Sequence, residues 1–138
     1  MSHLQGTPCP PQASDTATAV DELRALARGA QLAPMTIKGR ELLPVVQGGM
    51  GVGVSAGGLA GTVAGFGAVG TISSVDLRRL HPDLMAQTGH LEGGEAKAQI
   101  DAANLLALDR EIRRARALSG GRGMVAVNVM RAVGEYEH

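Results

Sequence analysis

A short apolar segment that runs straight into a glycine-rich loop is the strongest constraint on what this chain can fold into. Residues 44–47 predict a short apolar strand, the next six residues contain four glycines, and a helix is expected from Ala56. Because glycine has no Cβ, such a loop can turn tightly and let a flat or anionic ligand approach its main chain. The first turn of the following helix adds N–H groups that attract negative charge. This order of elements predicts a cofactor cradle.

The composition narrows the functional classes to which the chain can belong. Its 138 residues carry 13 basic and 13 acidic side chains, so its net charge offers no attraction to nucleic acid or to an anionic membrane. The two aromatic residues, Phe66 and Tyr136, are too few for base stacking. Cys9 is the single cysteine, which excludes an intrachain disulfide. The first residues lack the features of a secretory signal, and we therefore expect a cytoplasmic protein.

The sequence pattern predicts one α/β domain behind a short leader. Residues 1–17 have no apolar period and predict disorder, whereas residues 18–138 predict the folded domain. The elements expected in that domain are a helix from Thr18 to just before Gly29, a hairpin at 36–43, strands at 44–47, 68–72 and 124–129, helices at 56–65 and 95–118, and a polar loop at 73–94. Apolar strands that alternate with helices are typical of a parallel sheet with right-handed crossovers.

The long helix at 95–118 has two distinct faces in the sequence. Leu105, Leu108, Ile112 and Ala115 recur at helical spacing, which predicts the face that packs on the core. The opposite face is charged, and we expect it to be solvated. Its members are Arg110, Glu111, Arg113, Arg114 and Arg116.

The stretch between Glu41 and Asp76 contains no charged residue, and the helix within it carries Gly57, Gly61 and Gly65. Small residues at this spacing occur where transmembrane helices pack. The stretch is interrupted by turn-forming glycines, however, and it lacks Trp or Tyr anchors, so the pattern does not favour a membrane span. We expect instead that these glycines let the helix pack close to the sheet.

Two further patterns suggest other kinds of site. Gly51, Gly53 and Ala56 satisfy a G-x-G-x-x-A pattern with Asp76 downstream, as in a dinucleotide fold. Gly48, Gly49 and Met50 separate the strand from the first of these glycines, which argues against that interpretation. His81 and His90 have no Cys or second His at ligand spacing, so we expect solvated histidines and no metal site.

Asn128 is a single amide at the carboxyl end of an otherwise apolar strand. Parallel α/β folds place their ligand-binding groups at that end of the sheet. A buried amide needs a hydrogen-bonding partner. That partner is either a neighbouring loop or a ligand, and the position alone favours neither.

Three segments together resemble successive strand ends of the nitronate monooxygenase family, also called 2-nitropropane dioxygenases. They are residues 43–51, with the sequence Leu-Pro-Val-Val-Gln-Gly-Gly-Met-Gly, residues 67–73 and residues 125–130. Members of this family are FMN-containing TIM barrels that oxidise alkyl nitronates with molecular oxygen and need no nicotinamide. The resemblance therefore implies an α/β fold that is the N-terminal portion of a (β/α)8 TIM barrel, with three parallel barrel strands.

The resemblance also implies a set of cofactor-binding residues. The main chain after the first strand would contact the flavin, and an asparagine at the end of the third strand would contact it as well. The residues at the matching positions are Gln47, Gly48, Gly49, Met50, Gly51, Thr71 and Asn128. A bare glycine backbone suits this role, since its N–H groups stabilise negative charge on the reduced ring.

The length of the chain limits what it is expected to do alone. A (β/α)8 barrel needs about 250 residues, and the family's catalytic base and phosphate-binding loops belong to later strands. The catalytic residues are therefore unknown and expected beyond the C-terminus. We expect a fragment that binds FMN weakly or not at all and is inactive by itself.

Two alternatives remain open. Flavin-dependent enoyl-acyl carrier protein reductases share the Gln47-Gly48-Gly49-Met50 loop but accept hydride from a nicotinamide. The chain could also be a non-catalytic truncated half-barrel. For the first interpretation the partners would be a small nitronate and O2, with no nucleic acid and no membrane, and the oligomeric state is open.

Overall fold

The computed structural model describes residues 13–92 and 94–129, which form a mixed α/β fold. In chain order its helices and strands are α1 (Ala13–Gly29), β1 (Met35–Ile37), β2 (Arg40–Leu42), β3 (Val46–Gln47), α2 (Gly57–Gly65), β4 (Val69–Ser73), a 3-10 turn (Leu77–Leu80), α3 (Pro82–Thr88), α4 (Gly94–Ser119) and β5 (Met124–Asn128). Strands β1 and β2 pair as the antiparallel hairpin that the sequence predicts.

The central feature is a parallel sheet in the order β3-β4-β5, which confirms the α/β prediction. Every residue of the middle strand β4 is buried, and its apolar and small residues suit a strand that is covered on both faces. Its register with β5 pairs Val69 with Met124 and Ser73 with Asn128. The described strands form an open sheet and not a closed barrel.

Several predicted boundaries differ from the structure. Helix α1 begins at Ala13 and not at Thr18, so residues 13–17 of the predicted leader are helical. The predicted polar loop at 73–94 contains the 3-10 turn and α3, where Pro82 occupies the first turn of the helix, a position that proline tolerates. Residues 1–12 of the predicted leader and residues 130–138 lie outside the described residues.

Helix α2 packs most closely against α4, and the prediction that its glycines face the sheet is wrong. A methyl group on Gly61 would lie 2.8 Å from both the Cα and the carbonyl oxygen of Ala115. Gly57 meets the main chain of Glu111 in the same way, one turn earlier in each helix. The glycines let two helix backbones approach each other, since no Cβ separates them.

The sheet approaches α2 from the other side through a glycine of its own. Gly70 in β4 lies directly against the main chain of Ala60 in α2. Ala60 and Ile72 are fully buried there, in a core cluster that also contains Leu77, Leu84, Ala103, Ala107 and Ala115. Helix α2 is therefore enclosed between the sheet and α4 by small residues on both of its sides.

The predicted core face of α4 is confirmed for Leu108, Ile112 and Ala115, which pack on the core, and is wrong for Leu105. Leu105 is 68% exposed, while Leu108 and Ile112 are partly buried against the core. The face that points inward repeats every four residues and is formed by Ala103, Ala107, Glu111 and Ala115. Glu111 is only 4% exposed, so the prediction that it is solvated is wrong, whereas Arg113, Arg114 and Arg116 are exposed as predicted.

The uncharged stretch of the sequence is folded into short elements. It contains the nine residues of α2 and the five residues of β4. None of the helices within residues 13–92 and 94–129 combines the length and the apolar character that crossing a membrane requires.

The contact between α2 and α4 predicts opposite effects for two neighbouring glycines. Gly61→Ala should lower the free energy of unfolding by about 2 kcal/mol, because the new methyl group meets the main chain of Ala115. Gly58→Ala should be neutral or stabilise the fold by up to about 1 kcal/mol, since its methyl group would lie 3.6 Å from the Arg114 guanidinium, and alanine favours the helix. Urea denaturation of both variants measures the difference. Equal stability of the two variants would contradict this packing.

Candidate functional site

The glycine loop between β3 and α2 is held by the side chain of Ser55. Its hydroxyl oxygen accepts the N–H of Met50 at 2.9 Å and donates to the carbonyl oxygen of Gly48 at 3.2 Å. The main-chain N–H of Ser55 donates to the carbonyl oxygen of Met50 at 3.0 Å. Ser55 is fully buried beneath the loop. The loop is therefore closed from the inside by hydrogen bonds to one residue.

Gln47 lies beside the loop, and both ends of its side-chain amide are bonded within the protein. Its Oε1 accepts the N–H of Thr71 at 3.0 Å, and its Nε2 donates to the Ser55 hydroxyl at 2.8 Å and to the carbonyl oxygen of Gly48. Thr71 is 9% exposed at the middle of β4. These two residues thus connect the loop to the sheet beneath it.

Several N–H groups of the loop are left over by this arrangement, and those of Val52, Gly53 and Val54 also have no acceptor among the described residues. Within residues 13–92 and 94–129, the N–H groups of Gly48, Gly49 and Gly51 have no acceptor, whereas that of Met50 is bonded to Ser55. Gly48 and Gly51 are exposed and Gly49 is half-buried, so the three N–H groups lie in an accessible part of the chain. A short stretch of main chain with unbonded donors is suited to a ligand with polar acceptors at its edge.

Asn128 lies directly against this loop. A methyl group on Gly49 would be 2.8 Å from Cβ and 2.9 Å from Nδ2 of Asn128. Asn128 is half-buried at the end of β5, and its side-chain amide makes no hydrogen bond to the part of the chain that the structure describes. The parallel register brings the two predicted site segments together, since strand ends β3 and β5 flank the same central strand. The neighbouring-loop partner considered for Asn128 is not found among the described residues.

The loop that carries the free amides also carries exposed apolar side chains, which we call the apolar rim. Met50, Val52 and Val54 are each about half exposed, with values of 46%, 49% and 58%. Leu80 packs over Gly53, whose φ of 73° lies in the region that favours glycine. Amide donors framed by apolar side chains suit a flat, largely apolar molecule with polar groups at one edge.

The first turn of α2 is already occupied by an internal carboxylate. Glu111 Oε2 accepts the N–H of Gly57 at 2.7 Å, and Glu111 Oε1 lies 3.3 Å from Nε2 of His81. The His81 contact is one of proximity, because its geometry does not form an aligned hydrogen bond. The side chain of His81 is 16% exposed, so its predicted solvation is wrong, while His90 is exposed as predicted. This carboxylate takes the place that an anionic ligand group would otherwise occupy at the helix.

Asp76, the acidic residue of the dinucleotide pattern, is engaged by two arginines. Its carboxylate accepts a hydrogen bond from Arg78 Nε at 2.9 Å and another from Arg79. Burial acts to raise the pKa of Asp76, but the hydrogen bond from Arg79 and the charges of Arg78 and Arg79 outweigh it and lower the pKa. The carboxylate thus stabilises the turn after β4 through its bonds to the two arginines.

Among the described residues, no three His, Cys, Asp or Glu side chains are grouped so as to hold a metal ion.

Removing the Glu111 carboxylate should destabilise the fold. Glu111→Ala leaves the Gly57 N–H buried without an acceptor, and we expect a loss of about 2–3 kcal/mol in the free energy of unfolding. Glu111→Gln keeps an acceptor oxygen and should lose about 1 kcal/mol. The control is Glu22→Ala, which truncates an exposed glutamate of α1. Thermal and urea denaturation measure all three, and an effect of Glu111→Ala no larger than that of the control would refute this role.

The lowered pKa of Asp76 predicts a specific acid sensitivity. Its stabilising contribution is complete above the ordinary pKa of an aspartate, about 3.9, and is lost as the pH falls through its lower value in the folded protein. Asp76→Asn should make stability fall less steeply below about pH 4, because asparagine does not titrate there. Asparagine also tolerates the φ of 48° at this position. Urea denaturation from pH 2 to 7 tests this, and parallel curves for the two proteins would contradict it.

The candidate site is therefore a loop in which the N–H groups of Gly48, Gly49 and Gly51 are unbonded among the described residues, next to the unbonded side-chain amide of Asn128 at the carboxyl end of a parallel sheet. Its polar supports are Gln47 and Ser55, and its first helix turn is occupied by Glu111. Comparison with models of protein families, with curated proteins and with solved structures finds nothing that matches this chain.

Proposed function

We propose that the glycine loop is the flavin-contacting segment of an FMN-dependent oxidoreductase that oxidises alkyl nitronates with O2. The observation that carries the proposal is the group of free N–H donors at Gly48, Gly49 and Gly51 beside the unbonded amide of Asn128. These donors lie at the carboxyl edge of a parallel sheet, where α/β folds bind their ligands. A flavin ring has an apolar body and a polar edge, and the apolar rim of the loop suits such a body.

FMN, when bound, would take up electrons from the carbanionic nitronate and pass them to oxygen. The part of this chain would be to bind and orient. The N–H groups of Gly48, Gly49 and Gly51 would donate to the polar edge of the ring and stabilise negative charge there. Asn128 would add a side-chain hydrogen bond from the end of β5. Met50 would lie over the apolar part of the ring.

The arrangement of the helices favours the (β/α)8 barrel for the complete fold. Strands β3, β4 and β5 are neighbours in both sequence and space, and α2 and α4 pack against each other on one side of the sheet. Successive right-handed crossovers in one direction place all their helices on the same face, as a barrel requires. A doubly wound dinucleotide fold reverses direction at the binding crevice. In such a barrel, β3, β4 and β5 would be three successive strands.

The proposal predicts where FMN contacts the chain. In a titration of the 15N-labelled protein with FMN up to millimolar concentration, we expect weak binding, with the largest amide shifts at Gly48, Gly49 and Gly51. The side-chain NH2 of Asn128 should shift with them, because it lies 2.9 Å from a methyl position on Gly49. The glycines Gly39 and Gly121, which lie in turns outside this loop, should not respond. Two-dimensional NMR measures every amide in one experiment.

Two variants test whether FMN binds at the predicted position. Asn128→Ala should weaken FMN binding by about tenfold, since one good hydrogen bond to a ligand corresponds to about 1.4 kcal/mol. Gln87→Ala removes an exposed amide from α3 and should leave binding unchanged. Shifts spread over other parts of the chain, or no shift at the loop, would contradict the proposal. Stoichiometric, tightly bound yellow flavin would contradict the expectation that the binding site is incomplete.

A further inference from the structure

We propose that Ser55 is a positioning residue that holds the glycine loop so that the N–H groups of Gly49 and Gly51 point away from it and stay free, an inference that rests on the proposed flavin site. Ser55 is fully buried, so its hydroxyl cannot touch a ligand on the surface of the loop. Any influence on binding has to pass through the main chain that the hydroxyl holds. The sequence offers no sign of this role, because a serine just before a helix is typical of a cap.

The hydroxyl of Ser55 uses its full hydrogen-bonding capacity on the loop. A serine hydroxyl has one donor and two acceptor sites. Ser55 donates to Gly48 at 3.2 Å, accepts the Met50 N–H at 2.9 Å and accepts Gln47 Nε2 at 2.8 Å. All three partners belong to the segment that carries the free amides. All three hydrogen bonds of the hydroxyl are therefore made to that segment.

The main chain of Ser55 adds two further restraints. Its N–H donates to Met50 at 3.0 Å, and its carbonyl oxygen accepts the N–H of Ser73 at 2.9 Å. Met50 is thus bonded to Ser55 through both its N–H and its carbonyl group, while Ser73 connects Ser55 to the carboxyl end of β4. In a trans peptide the N–H points away from the carbonyl of the preceding residue. Because the carbonyl groups of Gly48 and Met50 are both bonded to Ser55, the N–H groups of Gly49 and Gly51 point away from Ser55.

Gln47 extends the same network to the sheet. Its amide bridges the Ser55 hydroxyl and the N–H of Thr71, with distances of 2.8 and 3.0 Å. Because both ends of the amide are engaged within the protein, we assign Gln47 to the support of the loop. This divides the predicted flavin-binding residues into two groups. Gly48, Gly49 and Gly51 present donors, whereas Gln47 acts with Ser55 from below.

The test compares two buried serines. Ser55→Ala should raise the hydrogen-exchange rate of the Met50 amide at least tenfold and weaken FMN binding at the loop amides by about tenfold. The control, Ser119→Ala, removes a buried hydroxyl that donates to Arg116 at 2.9 Å and accepts from Gly121 at 3.3 Å. It should change neither quantity. Ser55→Cys keeps the size of the side chain with a weaker donor, and it should fall between the wild-type chain and Ser55→Ala.

Each outcome separates the positioning role from the flavin site. If Ser55→Ala speeds exchange at Met50 while FMN binding is unchanged, the serine is only structural and the inference is overturned. Unchanged exchange in both Ser55 variants overturns it as well. If Ser55→Ala does not fold, Ser55→Cys is used instead. Its Met50 exchange rate and its FMN binding are then interpreted in the same way. If the wild-type loop does not respond to FMN, the proposed function fails, and the exchange rates still show whether Ser55 orders the loop.

Discussion

The structure depends on the close approach of three main chains, those of β4, α2 and α4. Gly70 brings the sheet against one side of α2, and Gly61 brings α4 against the other. Such contacts require residues without side chains, since even one methyl group would meet a backbone atom. This requirement accounts for the uncharged, glycine-rich and alanine-rich character of the central segment. It also fixes where α2 begins, and so where the glycine loop has to end.

The polar groups of the site follow from that approach. When the start of α2 is pressed against α4, the N–H of Gly57 loses access to water and needs an internal acceptor. Glu111 supplies it and is buried as a result. The loop before α2 faces the same problem at Met50, where Ser55 supplies the acceptor. The N–H groups of Gly49 and Gly51 remain without one among the described residues, and these are the groups that a ligand can use.

The sequence could predict the elements that have a strong local pattern and the residues that strand order brings together. The meeting of Gly49 with Asn128 follows from parallel strands whose carboxyl ends share one edge. Ala103 and Ala107 of the buried face of α4 were missed, because alanines give a weaker apolar signal than Leu105 does. Glu111 was missed because a glutamate among arginines usually lies on a solvated surface. Its burial depends on a contact with α2 that no local pattern encodes.

Ser55 shows why the support of the site is harder to predict than its surface. The donors of the glycine loop can be inferred from residue type, because glycine exposes its main chain. The support depends on which hydroxyl lies beneath that main chain, and the partners of Ser55 lie five, seven and eight residues away in an irregular segment. No periodicity connects such positions. Without a buried anchor, a glycine loop would adopt many conformations, since glycine is the most flexible residue. Its N–H donors would then not be held in one arrangement. The binding of a flat ligand at this loop, as proposed, would therefore depend on the buried serine as much as on the glycines.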